Sequence, residues 1–453
     1  MLPNKVDVVI VGSGITGTFA AHTLKEQKPE LDIIMLEARE ACWGATGRNG
    51  GHCQPLLYTS APHIATFELR TFAYIKSLVE AYDIPCDWNS TIGVHAYFSK
   101  SLASLTSDMV KHLGNENPGL AANLTFVNKG NGGSVAWLPE SERKAVTLEG
   151  LRIPNAEGAV VQRYAASLWP YKLTNTPVTR LKKVDTSNDL VAAAAMATWI
   201  VETPRGKIAA GSVLLATNGY TSHLLPQFRD LIVPTRGQVV ALKPPRDLKG
   251  DETPLDIRNT YYFFGDASDK AVGRDDYLVQ RPAPGSELVL GGGRERGRNA
   301  GVGVWDDSEL DEPVSRWLGG ELSTVLDLDM RPANDYRYFS AEEEKKAKSP
   351  DPVATYAWTG IMGFSRDAHP WVGSVPPSLG GGYGLWVCAG YTGNGMPNAA
   401  LCAKAVVNMM LMTDDVDLPP EYMLTETRVE SALARDTVAV AAEKGVLALP
   451  YLA

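Results

Sequence analysis

The chain has 453 residues, 44% hydrophobic and 21% charged, with a net charge of −9. That composition belongs to a globular protein too long for one ordinary core. The acidic balance excludes nucleic acid and anionic membrane as general partners, and no apolar stretch is long enough to span a bilayer.

Residues 6–11 form a short β-branched run and read as a buried parallel strand. Gly12-x-Gly14-x-x-Gly17 follows at once, and 18–28 has helical apolar spacing that stops at Pro29. Residues 32–37 predict a second strand, ending in the acid Glu37. Residues 61–82 carry Ile64, Phe67, Phe72, Ile75, Leu78 and Val79 at helical spacing. The pattern then predicts a strand at 93–99, a helix at 101–113 and an Asn/Gly-rich loop at 115–133. Residues 160–169 are expected to be helical, and 178–202 to form weakly patterned strands. Residues 213–219 read as a buried strand ending in a turn. Four runs, 237–242, 260–264, 277–280 and 288–290, predict an antiparallel sheet. A helix is expected at 310–326 and a solvated loop at 342–348. A strand at 385–389 leads to a helix at 398–412 with Pro397 at its first position, and the tail 425–444 is helix-like.

Chemistry concentrates at the glycines. Gly12, Gly14 and Gly17 allow a tight turn and close backbone approach, and the helix they open offers N–H groups at Ile15 and Thr16 to a pyrophosphate. Glu37 follows about 20 residues on, beside Ala38 and Arg39, where an acid accepts the ribose hydroxyls of an adenosine half. The spacing predicts a dinucleotide site for NAD or FAD. Three further segments favour the longer FAD. They are Gly44, Ala45, Thr46, Arg48, Asn49, Gly50, Gly51 and His52; then Ala216, Thr217, Asn218 and Gly219; then Gly390, Tyr391, Thr392, Gly393, Asn394, Gly395 and Met396. The helix after the last of these would turn its N-terminus to the flavin pyrimidine.

Together with "RGQVV" from Arg236, "DDYLVQRPAPGSELVLGGG" from Asp275 and "GFSRDAHPWVG" from Gly363, these motifs run in order through nearly the whole chain. They resemble the D-amino-acid oxidase superfamily of FAD-dependent oxidoreductases, particularly γ-glutamylputrescine oxidase and sarcosine/glycine oxidase-like members. The resemblance implies an α/β fold, α+β overall. A Rossmann-like FAD-binding domain would be built of discontinuous segments, 1–85, 157–226 and 345–420. A substrate domain with a mostly antiparallel sheet would take 86–156 and 227–344, and 421–453 would be a helical tail. It implies that Val178 and Gly363 also touch FAD. It implies oxidation of the C–N bond of an amine or amino acid to an imine by hydride transfer to flavin N5, with O₂ as acceptor and H₂O₂ as product. Some relatives attach FAD through a cysteine before the last flavin loop; residues 358–371 contain none. Noncovalent binding is therefore implied, with His52 the only residue at which a covalent link comes into question.

No side-chain base is common to such enzymes, so no catalytic residue is assigned. Arg48 is a candidate for a phosphate or a substrate carboxylate. Tyr261, Tyr262 and Phe263 are candidates for the pocket wall or for core packing. Arg366 and His369, near Asp367, and Tyr391 complete the substrate-pocket candidates. Five cysteines without a C-x-x-C pair argue for a reducing compartment, and no metal site is expected. No secretory signal or SKL-type terminus is seen, so a cytoplasmic location is expected. Two alternatives stay open: a flavin-dependent dehydrogenase or monooxygenase of secondary metabolism, and a non-catalytic dinucleotide-binding scaffold.

Overall fold

The computed structural model describes residues 2–130, 135, 137–138, 146–174, 199–245, 254–265, 273–329 and 352–443. Val178 and the loop expected at 342–348 lie outside the described residues. The strands are β1 (Lys5–Val11), β2 (Ile33–Leu36), β3 (His52–Cys53), β4 (Asn89–Tyr97), β5 (Leu124–Asn128), β6 (Gly158–Ser167), β7 (Trp199–Thr203), β8 (Gly206–Leu215), β9 (Ile232–Leu242), β10 (Thr260–Gly265), β11 (Arg274–Gln280), β12 (Leu288–Gly292), β13 (Ala354–Ser365), β14 (Trp371–Ser374) and β15 (Leu385–Ala389).

The smaller sheet has the order β14-β15-β8-β1-β2, with β7 paired to β8. Its centre is parallel: β1 pairs with β2 and β8, and β15 pairs with β8. Such a sheet needs both faces covered, which explains the unbroken apolar run of β1. Val8 and Ile10 pack with Phe19, Leu24 and Val406 on one face. Val9 packs with Val387 and Trp371 on the other. Each fully buried side chain of this kind contributes about 1.5–3 kcal/mol. Phe19 and Leu24 lie on α1 (Ile15–Gln27), and Val406 on the helix Ala399–Met410.

The larger sheet runs β13-β9-β12-β11-β10-β4-β6-β3, with β5 on β6. The four predicted antiparallel runs are β9 to β12, and β10 pairs in parallel with β4. Strand alternation splits the aromatic run of β10. Tyr261 and Phe263 enter the core beside Leu278 and Leu290, whereas Tyr262 and Phe264 face a cavity.

The helix expected at 160–169 is instead strand β6, bonded to β3, β4 and β5. Five consecutive buried residues from Gly158 to Gln162 erase the alternation that marks a strand. β6 and β13, which the expected boundaries place in the dinucleotide domain, both belong to the larger sheet. The loop expected at 115–133 contains a turn of helix, Pro118–Ala121, and β5. Among the described residues no helix is long and apolar enough to cross a membrane.

Candidate active site

A cavity of about 770 Å³ is lined both by the carboxyl ends of β1 and β2 and by residues of β4, β9, β10, β11 and β13. This is where an open α/β sheet binds ligands. At its floor Gly12 has φ +109°, and a Cβ there would lie 2.5 Å from the Ala216 carbonyl oxygen. Only glycine fits. Glu37 accepts hydrogen bonds from Ser13 N (3.1 Å), Ser13 Oγ (2.8 Å) and Arg39 N (3.1 Å). Ser13, which the sequence reading passed over, thus fixes the acid at the mouth of the glycine turn.

The segment after Glu37 folds as a single turn, α2 (Ala45–Arg48). Thr46 Oγ1 accepts from Ile15 N at the start of α1 (3.1 Å). Asn49 Oδ1 accepts from Gly51 N (2.7 Å), and Gly50 N donates to Tyr277 Oη (3.1 Å). Arg48, on the cavity wall, is also held within the chain. It donates to Trp43 O and Thr359 O (3.1 and 2.9 Å) and lies 3.6 Å from Asp307. Asp307 also pairs with Arg39 at 2.7 Å. Nothing local in the sequence marks Asp307, because its partners come from the other end of the chain. Asp307→Ala is expected to destabilise the protein by about 1–2 kcal/mol, since Arg48 is mostly buried and Arg39 is partly screened by solvent. A thermal-melting comparison checks this, and an unchanged Tm would show the clamp to be idle.

The last glycine loop is held from beneath by α3 (Pro62–Ala81). Glu68, buried on that helix, accepts from Asn394 Nδ2 (2.7 Å), Asn398 Nδ2 (3.0 Å) and Leu56 N (2.6 Å). Burial pushes its carboxyl up to about 7, against the lowering effect of these hydrogen bonds. Tyr391 Oη bonds to Thr16 Oγ1 (2.8 Å) and Cys388 Sγ (3.1 Å), tying the loop to α1.

The remaining wall is largely aromatic. His52 stacks on Tyr262 with ring centroids 4.6 Å apart, and Tyr97 stacks on Phe264 at 5.4 Å. Burial depresses His52 to about 4 and raises Tyr277 to about 12. Arg294, also on the wall, pairs with Asp275 and lies 5.0 Å over the Phe364 ring.

Of the residues singled out in the sequence, Gly12, Gly14, Ile15, Thr16, Glu37, Ala38, Arg39, Gly44, Ala45, Thr46, Arg48, Asn49, Gly50 and His52 line the cavity. So do Ala216, Thr217, Asn218, Tyr262, Tyr391, Thr392, Gly393, Asn394, Gly395 and Met396. Gly17, Gly51, Gly219, Gly363 and Gly390 lie behind the wall, packed against neighbouring segments. Two substrate candidates are corrected. Arg366 donates to Leu433 O and Arg435 O, and His369 packs against Tyr422; neither lines the cavity. Both lie in the turn between β13 and β14, which packs against the helix Glu426–Leu433. Gln54, Tyr58, His95, Tyr97, Tyr277 and Arg294 line the cavity without having been singled out. Alternation along β4 would have found His95 and Tyr97.

A glycine cradle at a strand–helix turn, an oriented acid and a long cavity under a second sheet define a dinucleotide-dependent oxidoreductase. The sequence profile of the family described as FAD dependent oxidoreductase, DAO, matches residues 7–409, and the chain belongs to that family. Its cofactor is FAD, and the chain fits it: the Gly12 floor, which a Cβ would fill, leaves backbone room for a pyrophosphate beside the start of α1. Glycine oxidase from Geobacillus kaustophilus has the same fold, with a TM-score of 0.62 at 16% identity over 94% of this chain and 99% of that one. L-amino acid deaminase from Proteus vulgaris, with a specific insertion deleted, gives 0.61 at 13% over 93% and 94%. L-proline dehydrogenase from P. horikoshii gives 0.60 at 15% over 92% and 96%. No curated protein sequence matches the chain.

Proposed function

We propose that this FAD-dependent enzyme oxidises the CH–NH unit of an amine to an imine, with O₂ taking the two electrons and two protons as H₂O₂. Water then converts the imine to a carbonyl compound and a free amine. Bound FAD supplies the hydride acceptor. Glu37 would hold the ribose, the Gly12–Thr16 turn and Thr46 the pyrophosphate, and the 391–396 loop with the helix behind it the ring end. The similar folds support C–N chemistry, since those proteins are named for acting on glycine, proline and L-amino acids.

One observation favours an amine with an apolar body: His52, Tyr97, Tyr262, Phe264 and Tyr277 form an aromatic wall of the cavity. Among the wall's guanidinium groups, Arg39 and Arg48 share the one carboxylate of Asp307, and Arg294 pairs with Asp275 while its buried Nη1 has no hydrogen-bond partner among the described residues. The aromatic wall excludes water and packs an apolar body. In an anaerobic titration, benzylamine and N-methylbenzylamine are expected to bleach the flavin, and glycine and L-proline to do so at least tenfold more slowly, about 1.4 kcal/mol. Admitting air should then return the colour and release H₂O₂. Bleaching by the amino acids alone would sink the apolar-amine reading, and no bleaching by any amine would sink amine oxidation altogether.

A further inference from the structure

Gln54 stands between two imidazoles. His52 Nε2 lies 2.8 Å from Gln54 Oε1, and Gln54 Nε2 meets His95 Nε2. His95 Nδ1 meets Tyr58 Oη, which in turn meets Tyr97 Oη. All five side chains are buried and line the cavity. His52 Nδ1 has no protein partner.

A carboxamide has one donating and one accepting end. Whichever way Gln54 is turned, one facing imidazole must donate from Nε2 and the other must accept there. The two histidines are therefore bound to opposite tautomers. As arranged, His52 carries its proton on Nε2 and leaves Nδ1 as an acceptor. His95 carries its proton on Nδ1 and donates to Tyr58, which donates to Tyr97. If every donor is turned round, all the internal contacts survive, but His52 now carries its proton on Nδ1. The row thus has two hydrogen-bonding directions, each mutually reinforcing along its length. Net charge does not pass through it readily, because the amide of Gln54 would have to become an imidic acid. Direction does pass. Burial keeps both imidazoles uncharged near neutral pH, His52 at about 4 and His95 at about 3.

We propose that Gln54, His95, Tyr58 and Tyr97 are positioning residues that set the tautomer of His52, and so decide whether His52 accepts from or donates to the molecule bound in the cavity. In the direction observed His52 accepts, which suits an amine N–H. Only the identity of that molecule rests on the function proposed above.

Tyr97→Phe removes the terminal acceptor. Tyr58 is left with His95 Nδ1 as its acceptor in the row, so the row reverses and His52 moves from the Nε2–H to the Nδ1–H tautomer. Holoenzyme labelled with ¹⁵N-histidine has seven imidazoles, and His52→Gln and His95→Gln assign the two in question. The wild type should show His52 as Nε2–H and His95 as Nδ1–H, and Tyr97→Phe should exchange them. Gln54→Glu offers an acceptor to both and should leave both as Nε2–H. Equal tautomers in the wild type, or an unmoved His52 in Tyr97→Phe, overturns the proposal. In turnover, Tyr97→Phe should lower kcat/KM for benzylamine roughly tenfold. Exchanged tautomers with unchanged kcat/KM would overturn the functional half. The NMR arm needs no turnover, so failure of the amine reading leaves it intact and is told apart from failure of the row.

Discussion

Gly12→Val is expected to yield a colourless protein. The residue sits at φ +109°, and the added Cβ would be placed 2.5 Å from the Ala216 carbonyl oxygen. A β-branched side chain can relieve neither the backbone strain nor the contact, because Ala216 follows the end of β8, itself paired along β1. The turn must open, and the N–H groups at the start of α1 lose their aim. A cost of about 3 kcal/mol or more is expected, with loss of bound flavin. The absorbance of purified protein and its Tm check this. A yellow variant melting with the wild type would mean that the floor of the cradle can move.

The second large effect concerns Glu68. Its carboxyl titrates at about 7 in the folded chain because burial disfavours the charge. An unfolded glutamate titrates at about 4.3. The folded state therefore binds this proton more tightly. The contribution to stability is full below about pH 4.3 and is lost as pH rises through about 7, amounting to about 4 kcal/mol in all. Glu68→Gln has no such loss, although its amide cannot accept from both Leu56 N and the two asparagines. The variant should be the less stable protein at pH 4.5 and should recover about 3 kcal/mol relative to wild type by pH 8. Urea unfolding at the two pH values measures the difference. A gap that does not change with pH would mean that Glu68 titrates as an ordinary carboxylate.

The cradle was legible because its parts are local: Gly12, Gly14, Gly17 and Glu37 occupy one strand–turn–helix–strand unit whose spacing is itself the signal. What was illegible is held across long sequence distances. Asp307 meets Arg39, and Glu68 meets Asn394, only after the fold has formed. Glu68 did leave a trace. It falls on the buried face of α3 beside Ile64, Phe67, Thr71, Phe72 and Ile75, and an acid on an apolar stripe needs partners. The row from His52 to Tyr97 left less, because short β3 and long β4 are brought together only through β6. β6 itself was misread because a strand covered on both faces loses its period of two.

The order of the smaller sheet also sets a schedule. β1 emerges first from the ribosome, yet its neighbour β8 ends at Leu215, and β15, the next strand out, ends at Ala389. Until β8 is made the N-terminal strand has β2 alone beside it, and β8 in turn lacks β15 until residue 389. Such late, non-local closure is slow and leaves sticky intermediates during translation. The practical corollary lies in expression. Chains truncated before residue 389 should accumulate as aggregates rather than as smaller nucleotide-binding proteins, and slower synthesis at low temperature should raise the yield of the whole chain.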